Sequence, residues 1–154
     1  MLITLEGIEG SGKTTQIDHI AAYFQKSGLD YKITKEPGGT VLGEKIRSIL
    51  LDPGNSNIHP MTELLLYAAD RVQHIKEFII PMMDAGNIVI CDRFCDSTTV
   101  YQGVTRGIDV SLVQRLNRLV LEGLVPDITF VLDLDPEIGL KRAWKQIRDG
   151  SRDE

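Results

Sequence analysis

Only two cysteines, Cys91 and Cys95, occur in the 154 residues. They imply no structural disulfide in a reducing compartment, and no second Cys/His pair stands at the spacing of a metal site. Cys91 ends an apolar run and reads as a small packed hydrophobe. Long apolar runs are missing as well; nothing approaches the roughly 20 residues of a membrane span, so no membrane partner is expected. The N-terminus opens directly into Met1-Leu2-Ile3-Thr4-Leu5, with no basic segment ahead of a long apolar stretch. That is not a signal peptide, and a cytoplasmic protein is the expectation. Positive charge is in deficit, with a formal net charge of −5, which disfavours a nucleic-acid partner. Internal repeats, linkers and low-complexity segments are absent.

What is present is an ordinary globular composition, 42% hydrophobic and 25% charged, at a length that suggests one domain with its own core. Leu2–Glu6 alternates and is β-rich. Thr14–Lys26 carries Ile17, Ile20, Ala21 and Phe24 at helical spacing, and Gly28 ends that helix. A short strand over Tyr31–Thr34 leads into the loop Glu36-Pro37-Gly38-Gly39 and a helix over Leu42–Leu51. A long helical region runs from about Met61 to Ala85, where Pro81 either kinks it or opens a new turn. Asn87–Cys91 has the continuous apolar character of a strand buried on both faces. Val110–Leu121 predicts a helix and Ile128–Leu134 a strand. Pro136 opens a last helix that runs to about Arg148. Strands alternating with helices imply an α/β fold, a parallel sheet with helices on both faces.

One motif carries chemistry by itself. Gly7-Ile8-Glu9-Gly10-Ser11-Gly12-Lys13-Thr14 matches G-x-x-x-x-G-K-[ST] in full, between a strand and a helix. The glycines let successive backbone N–H groups turn inward on phosphate oxygens, and the following helix adds its positive end. Lys13 is expected on the β- and γ-phosphates of a nucleoside triphosphate, with Thr14 on Mg²⁺ and Thr15 completing the loop. Neither the Asn-Lys-x-Asp nor the Asp-x-x-Gly of a GTPase switch is present.

Further segments fall in a fixed order: Glu36-Pro37-Gly38-Gly39-Thr40, Lys45-Ile46-Arg47, Tyr67-Ala68-Ala69-Asp70-Arg71, Asp92-Arg93-Phe94 and Ser97-Thr98-Thr99-Val100-Tyr101-Gln102-Gly103. With the phosphate loop, these make the chain resemble the bacterial thymidylate kinases, P-loop nucleoside monophosphate kinases, over essentially residues 1–150. The resemblance implies the three-layer P-loop fold, ATP and Mg²⁺ as donor and cofactor, dTMP as acceptor, and a homodimer. It implies Asp92 near Mg²⁺, Arg93 on the phosphates between donor and acceptor, and Arg47 on the dTMP phosphate. Tyr67, where the family more often has Phe, would stack on thymine, and Arg71 would hydrogen-bond it. Glu9 would meet the sugar 3′-hydroxyl, and Tyr101 would crowd the 2′ position. Ser97, Thr98, Gln102, Glu36 and Pro37 would line the acceptor pocket.

Position 10 is Gly, where one branch of the family carries a catalytic arginine. The other branch supplies it from a lid, so Arg148 or Arg152 is expected to serve, with Arg142 on the helix before. The resemblance also implies that residues 1–154 form a single kinase domain without the rest of the lid and the closing strand and helix. The three histidines, His19, His59 and His74, read as packing or surface residues. A different P-loop nucleoside or nucleotide kinase is the nearer alternative, and a non-kinase P-loop ATPase switch the more distant one.

Overall fold

Four strands, β1 (Leu2–Gly7), β2 (Tyr31–Lys35), β3 (Ile88–Asp92) and β4 (Ile128–Leu132), pair in parallel in the order β2-β3-β1-β4. This is a computed structural model, and it describes residues 1–149. Along β1, Ile3 registers with Ile90 on one side and Ile128 on the other, and Leu5 with Asp92 and Phe130. The two central strands feed two cores by simple alternation. Leu2, Val89 and Cys91 pack with Ile75, Ile79 and Phe94 on one face, while Ile3, Leu5 and Ile90 pack with Ile17 on the other. Burial on both faces is why these strands read as apolar runs.

The helices are α1 (Lys13–Lys26), α2 (Val41–Leu51), α3 (Pro60–His74), α4 (Ile80–Asp84), α5 (Cys95–Thr98), α6 (Val110–Leu121) and α7 (Pro136–Arg148). Most start on a side-chain cap, which satisfies otherwise unpaired N–H groups. Thr40 accepts from the Gly43 N–H at 2.9 Å, Asp109 from Ser111 at 2.8 Å and Asp135 from Glu137 at 2.8 Å. His59 caps α3 in the same way, its Nδ1 accepting from Met61 at 3.2 Å. By contrast α1 starts on Gly12, at φ 94°, without a side-chain cap, which leaves its first turn open to an anion. No helix among the described residues is long and apolar enough to cross a membrane.

Two segments differ from the sequence expectation. The region from Met61 to Ala85 is α3, then a π-helical turn over Ile75–Ile79, then α4 with Pro81 in its first turn. Proline has no N–H to donate, and a widened turn before it accommodates the lost bond. The residues after β3, read only as a motif, form α5 and a second π-helical turn over Thr99–Thr105.

The topology places the site. The connection from β1 runs to β2 past β3, and that from β3 runs to β4 past β1. The two connections leave in opposite directions, so a crevice opens beyond the C-terminal ends of β1 and β3. Both strand ends turn sharply there, at Gly7 (φ 145°) and at Arg93, which is held in the left-handed region at φ 68°.

Candidate active site

The phosphate loop leaves β1 at Gly7 and enters α1 at Lys13. Gly10 sits at φ 72°, a conformation that side-chain-bearing residues rarely adopt. A Cβ there would also meet the Gly139 carbonyl oxygen of α7. Lys13 is buried, and its ammonium donates to the carbonyls of Gly7 and Ile8, both at 3.0 Å. The charge is thus folded into the loop rather than turned to bulk solvent. Ser11 Oγ is buried without a hydrogen-bond partner among the described residues.

Arg93 spans the two halves of the site. Its guanidinium donates to the Gly7 carbonyl at 3.0 Å and to Ser97 Oγ at 3.3 Å, pairs with Glu9, and lies 5.6 Å from the Tyr101 ring centre. Burial works against its charge, but Glu9, Tyr101 and Asp92 together outweigh that and raise its pKa. Beneath it, the buried Glu6 carboxylate accepts from the Phe94 N–H at 2.9 Å and the Ser97 hydroxyl at 2.5 Å. Glu6 therefore anchors the start of α5, and burial pushes its carboxyl pKa up.

On the opposite wall, Arg71 is 1% exposed and still borders the cleft. Its Nε donates to Glu36 Oε2 at 2.7 Å, Nη1 to Asn117 Oδ1 at 3.0 Å and Nη2 to Thr98 Oγ1 at 2.9 Å, and the Phe94 ring lies 5.4 Å away. Burial opposes its charge, and the Glu36 carboxylate more than restores it. Arg47 donates to the Pro37 carbonyl at 3.0 Å. Tyr67 is half-buried one turn before Arg71, and burial raises its hydroxyl pKa. Gln102 Nε2 donates to Glu63 at 2.7 Å, and Glu63 also pairs with Arg106 at 2.7 Å.

Many of these groups line one cleft of about 630 Å³. Glu9, Gly10, Gly12, Lys13, Thr14 and Thr15 border it from the phosphate loop, and Asp92 and Arg93 from the end of β3. Glu36, Pro37, Arg47, Tyr67, Arg71, Ser97, Thr98, Tyr101 and Gln102 form its other walls. The phosphate loop and a pocket walled by three aromatic rings (Tyr67, Phe94 and Tyr101) and three arginines thus share one space.

The thymidylate kinase family model matches residues 5–154 of the chain. This chain belongs to the thymidylate kinase family. A thymidylate kinase of Desulfosudis oleivorans is 56% identical over 147 residues, covering 96% of this chain and 69% of that protein. One of Desulforapulum autotrophicum is 55% identical over 152 residues, covering 99% and 67%. The crystal structure of thymidylate kinase from Ehrlichia chaffeensis superposes with a TM-score of 0.80 at 42% identity, covering 98% of this chain and 86% of that one. The parallel sheet flanked by helices on both faces is the architecture shared with that structure.

Within this thymidylate kinase fold, the sequence expectations fare unevenly. All eleven acceptor-side residues named from the sequence border the cleft. Gly7 and Ile8 contribute through the carbonyls that hold Lys13. Arg148 is the exposed last residue of α7 and is not among the cleft-lining residues, and Arg152 lies outside the described residues. Arg142 instead reaches the phosphate loop, donating to the Gly10 carbonyl at 3.4 Å. Lys35, Leu51 and Phe94 also line the cleft and were not singled out, nor were Glu63, Asn117 and Glu6. For Glu63 and His74 a signal existed: 63, 67, 71 and 74 recur at helical spacing, so one face of α3 carries them all.

Proposed function

We propose that the chain transfers the γ-phosphoryl group of ATP to dTMP, giving ADP and dTDP. The observation that carries this reading is Arg93, which bonds the phosphate loop through Gly7 and the acceptor wall through Ser97. A cation at that seam neutralises charge where donor and acceptor phosphates meet, and positioning with charge neutralisation is the main work of phosphoryl transfer.

In this mechanism Lys13 and the uncapped start of α1 hold the ATP phosphates, with Gly7 to Thr15 forming the cradle. Arg47 holds the dTMP phosphate, Tyr67 stacks on the base, and Arg71 donates to its edge. Glu9 meets the 3′-hydroxyl and Tyr101 disfavours a 2′-hydroxyl. Glu36, Pro37, Ser97, Thr98 and Gln102 complete the acceptor wall. The attacking phosphate oxygen needs no general base, because a phosphate monoester with a second pKa near 6 is largely dianionic at neutral pH. A lid arginine, Arg148 or Arg152, would add positive charge once the cleft closes.

Thr14 and Asp92 bring a hydroxyl and a carboxylate to the same cleft, the hard oxygen donors that Mg²⁺ takes. Among the described residues no cluster of three or more His, Cys, Asp and Glu gathers. That suits a cation whose remaining ligands are water and phosphate oxygens. Thr14 and Asp92 would hold Mg²⁺, which would supply positive charge to the triphosphate.

The reading includes a cytoplasmic homodimer of single-domain chains with small-molecule substrates only. An exposed stripe on α3, Leu65, Ala69 and Val72, supports a helix-to-helix contact between two copies. The deciding experiment compares phosphorylation of dTMP, dUMP, dCMP and thymidine with ATP as donor. Preferred turnover of dTMP is expected; preferred use of thymidine, which lacks the 5′-phosphate, would overturn the assignment.

A further inference from the structure

Behind the acceptor wall lies a chain of buried polar groups that only partly faces the cleft. Thr34 Oγ1 lies 2.6 Å from His74 Nε2, and His74 Nδ1 lies 3.0 Å from Glu36 Oε1. Glu36 Oε2 in turn accepts from Arg71. His74 is 0% exposed and Thr34 7%, and neither borders the cleft. The chemistry fixes the proton directions. An ionised carboxylate only accepts, so His74 Nδ1 carries a hydrogen; in the neutral ring Nε2 must then accept from the Thr34 hydroxyl. Donation runs from His74 to one oxygen of Glu36 and from Arg71 to the other, and with the ring neutral it begins at the Thr34 hydroxyl.

That arrangement determines where Arg71 points. Three of its five N–H groups are spent on Glu36, Asn117 and Thr98, leaving two for a ligand. Their direction follows the guanidinium plane, which the Glu36 carboxylate sets together with Asn117 and Thr98. The terminal torsion of a glutamate is broad, so a carboxylate held on one oxygen can still turn. His74 holds the second oxygen. The Gly39 backbone closes the arrangement from above: a Cβ there would come within 2.6 Å of both His74 Nε2 and Thr34 Oγ1.

We propose that His74, itself held by Thr34, is a positioning residue for recognition of the acceptor base: it fixes the Glu36 carboxylate and thereby aims the remaining Arg71 donors. The proposal rests on the reading of this cleft as a dTMP site. Donors aimed at the base edge suit the O4 acceptor of thymine and oppose the N4 amino group of cytosine. The device therefore acts on base discrimination and leaves ATP binding alone.

The test is calorimetric binding of dTMP, dCMP and ATP to the full chain and to four variants, with thermal melting alongside. His74→Leu removes the donor to Glu36, whereas His74→Asn keeps an amide near the Nδ1 position. Thr34→Val removes the hydroxyl and Thr34→Ser keeps it. His74→Leu is expected to weaken dTMP roughly ten-fold, the scale of a hydrogen bond to a charged group, and to narrow the dTMP/dCMP ratio. Thr34→Val should do the same to a smaller extent, while His74→Asn, Thr34→Ser and all ATP affinities stay near wild type. If His74→Leu does not fold, the Thr34 pair decides. An unchanged dTMP/dCMP ratio in the folded donor-deleting variants, or a parallel loss of ATP affinity, overturns the positioning role and leaves the dTMP site standing. Failure of the unaltered protein to bind dTMP overturns the functional reading and this proposal together.

Discussion

Lys13 and Asp70 show how single side chains divide between chemistry and tuning. The Lys13 ammonium rests on two loop carbonyls at 3.0 Å, so its charge is already aimed into the cradle before any ligand binds. Lys13→Ala is expected to lower kcat roughly 100-fold or more, the scale of losing one preorganised charge-stabilising group, with melting temperature little changed; initial rates at saturating dTMP check it. Asp70 is buried, accepting from the Gly38 N–H at 3.0 Å through Oδ1, while Oδ2 is buried without a partner among the described residues. Burial raises its pKa from 3.8 to about 6. A raised folded pKa means that the folded state binds the proton more tightly than the unfolded state. The resulting stability is fully present below pH 3.8 and is lost as pH rises through about 6, a change on the order of 2–3 kcal/mol. Asp70→Asn keeps an acceptor for Gly38 and cannot titrate. The stability difference between wild type and Asp70→Asn, measured by urea unfolding at pH 4 and pH 7, should therefore shift against wild type at the higher pH. A difference that stays constant would show that Asp70 does not titrate in this window.

Among the elements, α7 and the phosphate loop are pressed together at two glycines. A Cβ on Gly139 would stand 2.6 Å from the Glu9 carbonyl oxygen and 2.7 Å from the Ile8 side chain, closer than real Cβ contacts come. Gly139→Val should push α7 or the loop aside and weaken ATP binding, with dTMP binding less affected; titration of each ligand separately tests the asymmetry. The same scale shows what sequence pattern could and could not reveal. Val110–Leu121 and Pro136–Arg148 are amphipathic and capped by an aspartate, so their bounds were readable from local signals. The helical stretch from Cys95 to Thr105 was not. Thr98, Thr99 and Val100 are β-branched and poor helix formers, and the group that fixes its start is Glu6, on another strand. Long-range contacts overrode local preference there. In the site, most residues carried by a motif were legible, whereas Asn117 and Glu6 acquire their roles only through folding. The lid arginine expectation came from the family resemblance, and α7 brings Arg142 rather than Arg148 to the phosphate loop.

For the molecule as a whole, two of the groups of exposed apolar side chains among the described residues lie on regular elements that could meet a second copy. One is the α3 stripe, with Leu65 53% and Val72 40% exposed; the other lies on β4 and α7, with Val131 69% and Trp144 62% exposed. Apolar area of this kind marks contact surfaces, and the homodimer reading commits to the first. Light scattering should give the mass of two chains for the wild type and of one chain for Leu65→Lys combined with Val72→Lys. An unchanged mass in that variant would place the contact elsewhere.

The backward-twisted peptide at Arg93 carries a lesson about what sets residue choice in this fold. At φ 68°, a side-chain-bearing residue strains the main chain by about 1–2 kcal/mol, a burden that glycine would escape. Arg93→Gly would thus relax the bend after β3 and at the same moment remove the cation that joins the Gly7 carbonyl to Ser97. Glycine there would serve ruggedness alone; on the proposed phosphoryl-transfer reading, a cation between two anions is what makes the discomfort of arginine tolerable.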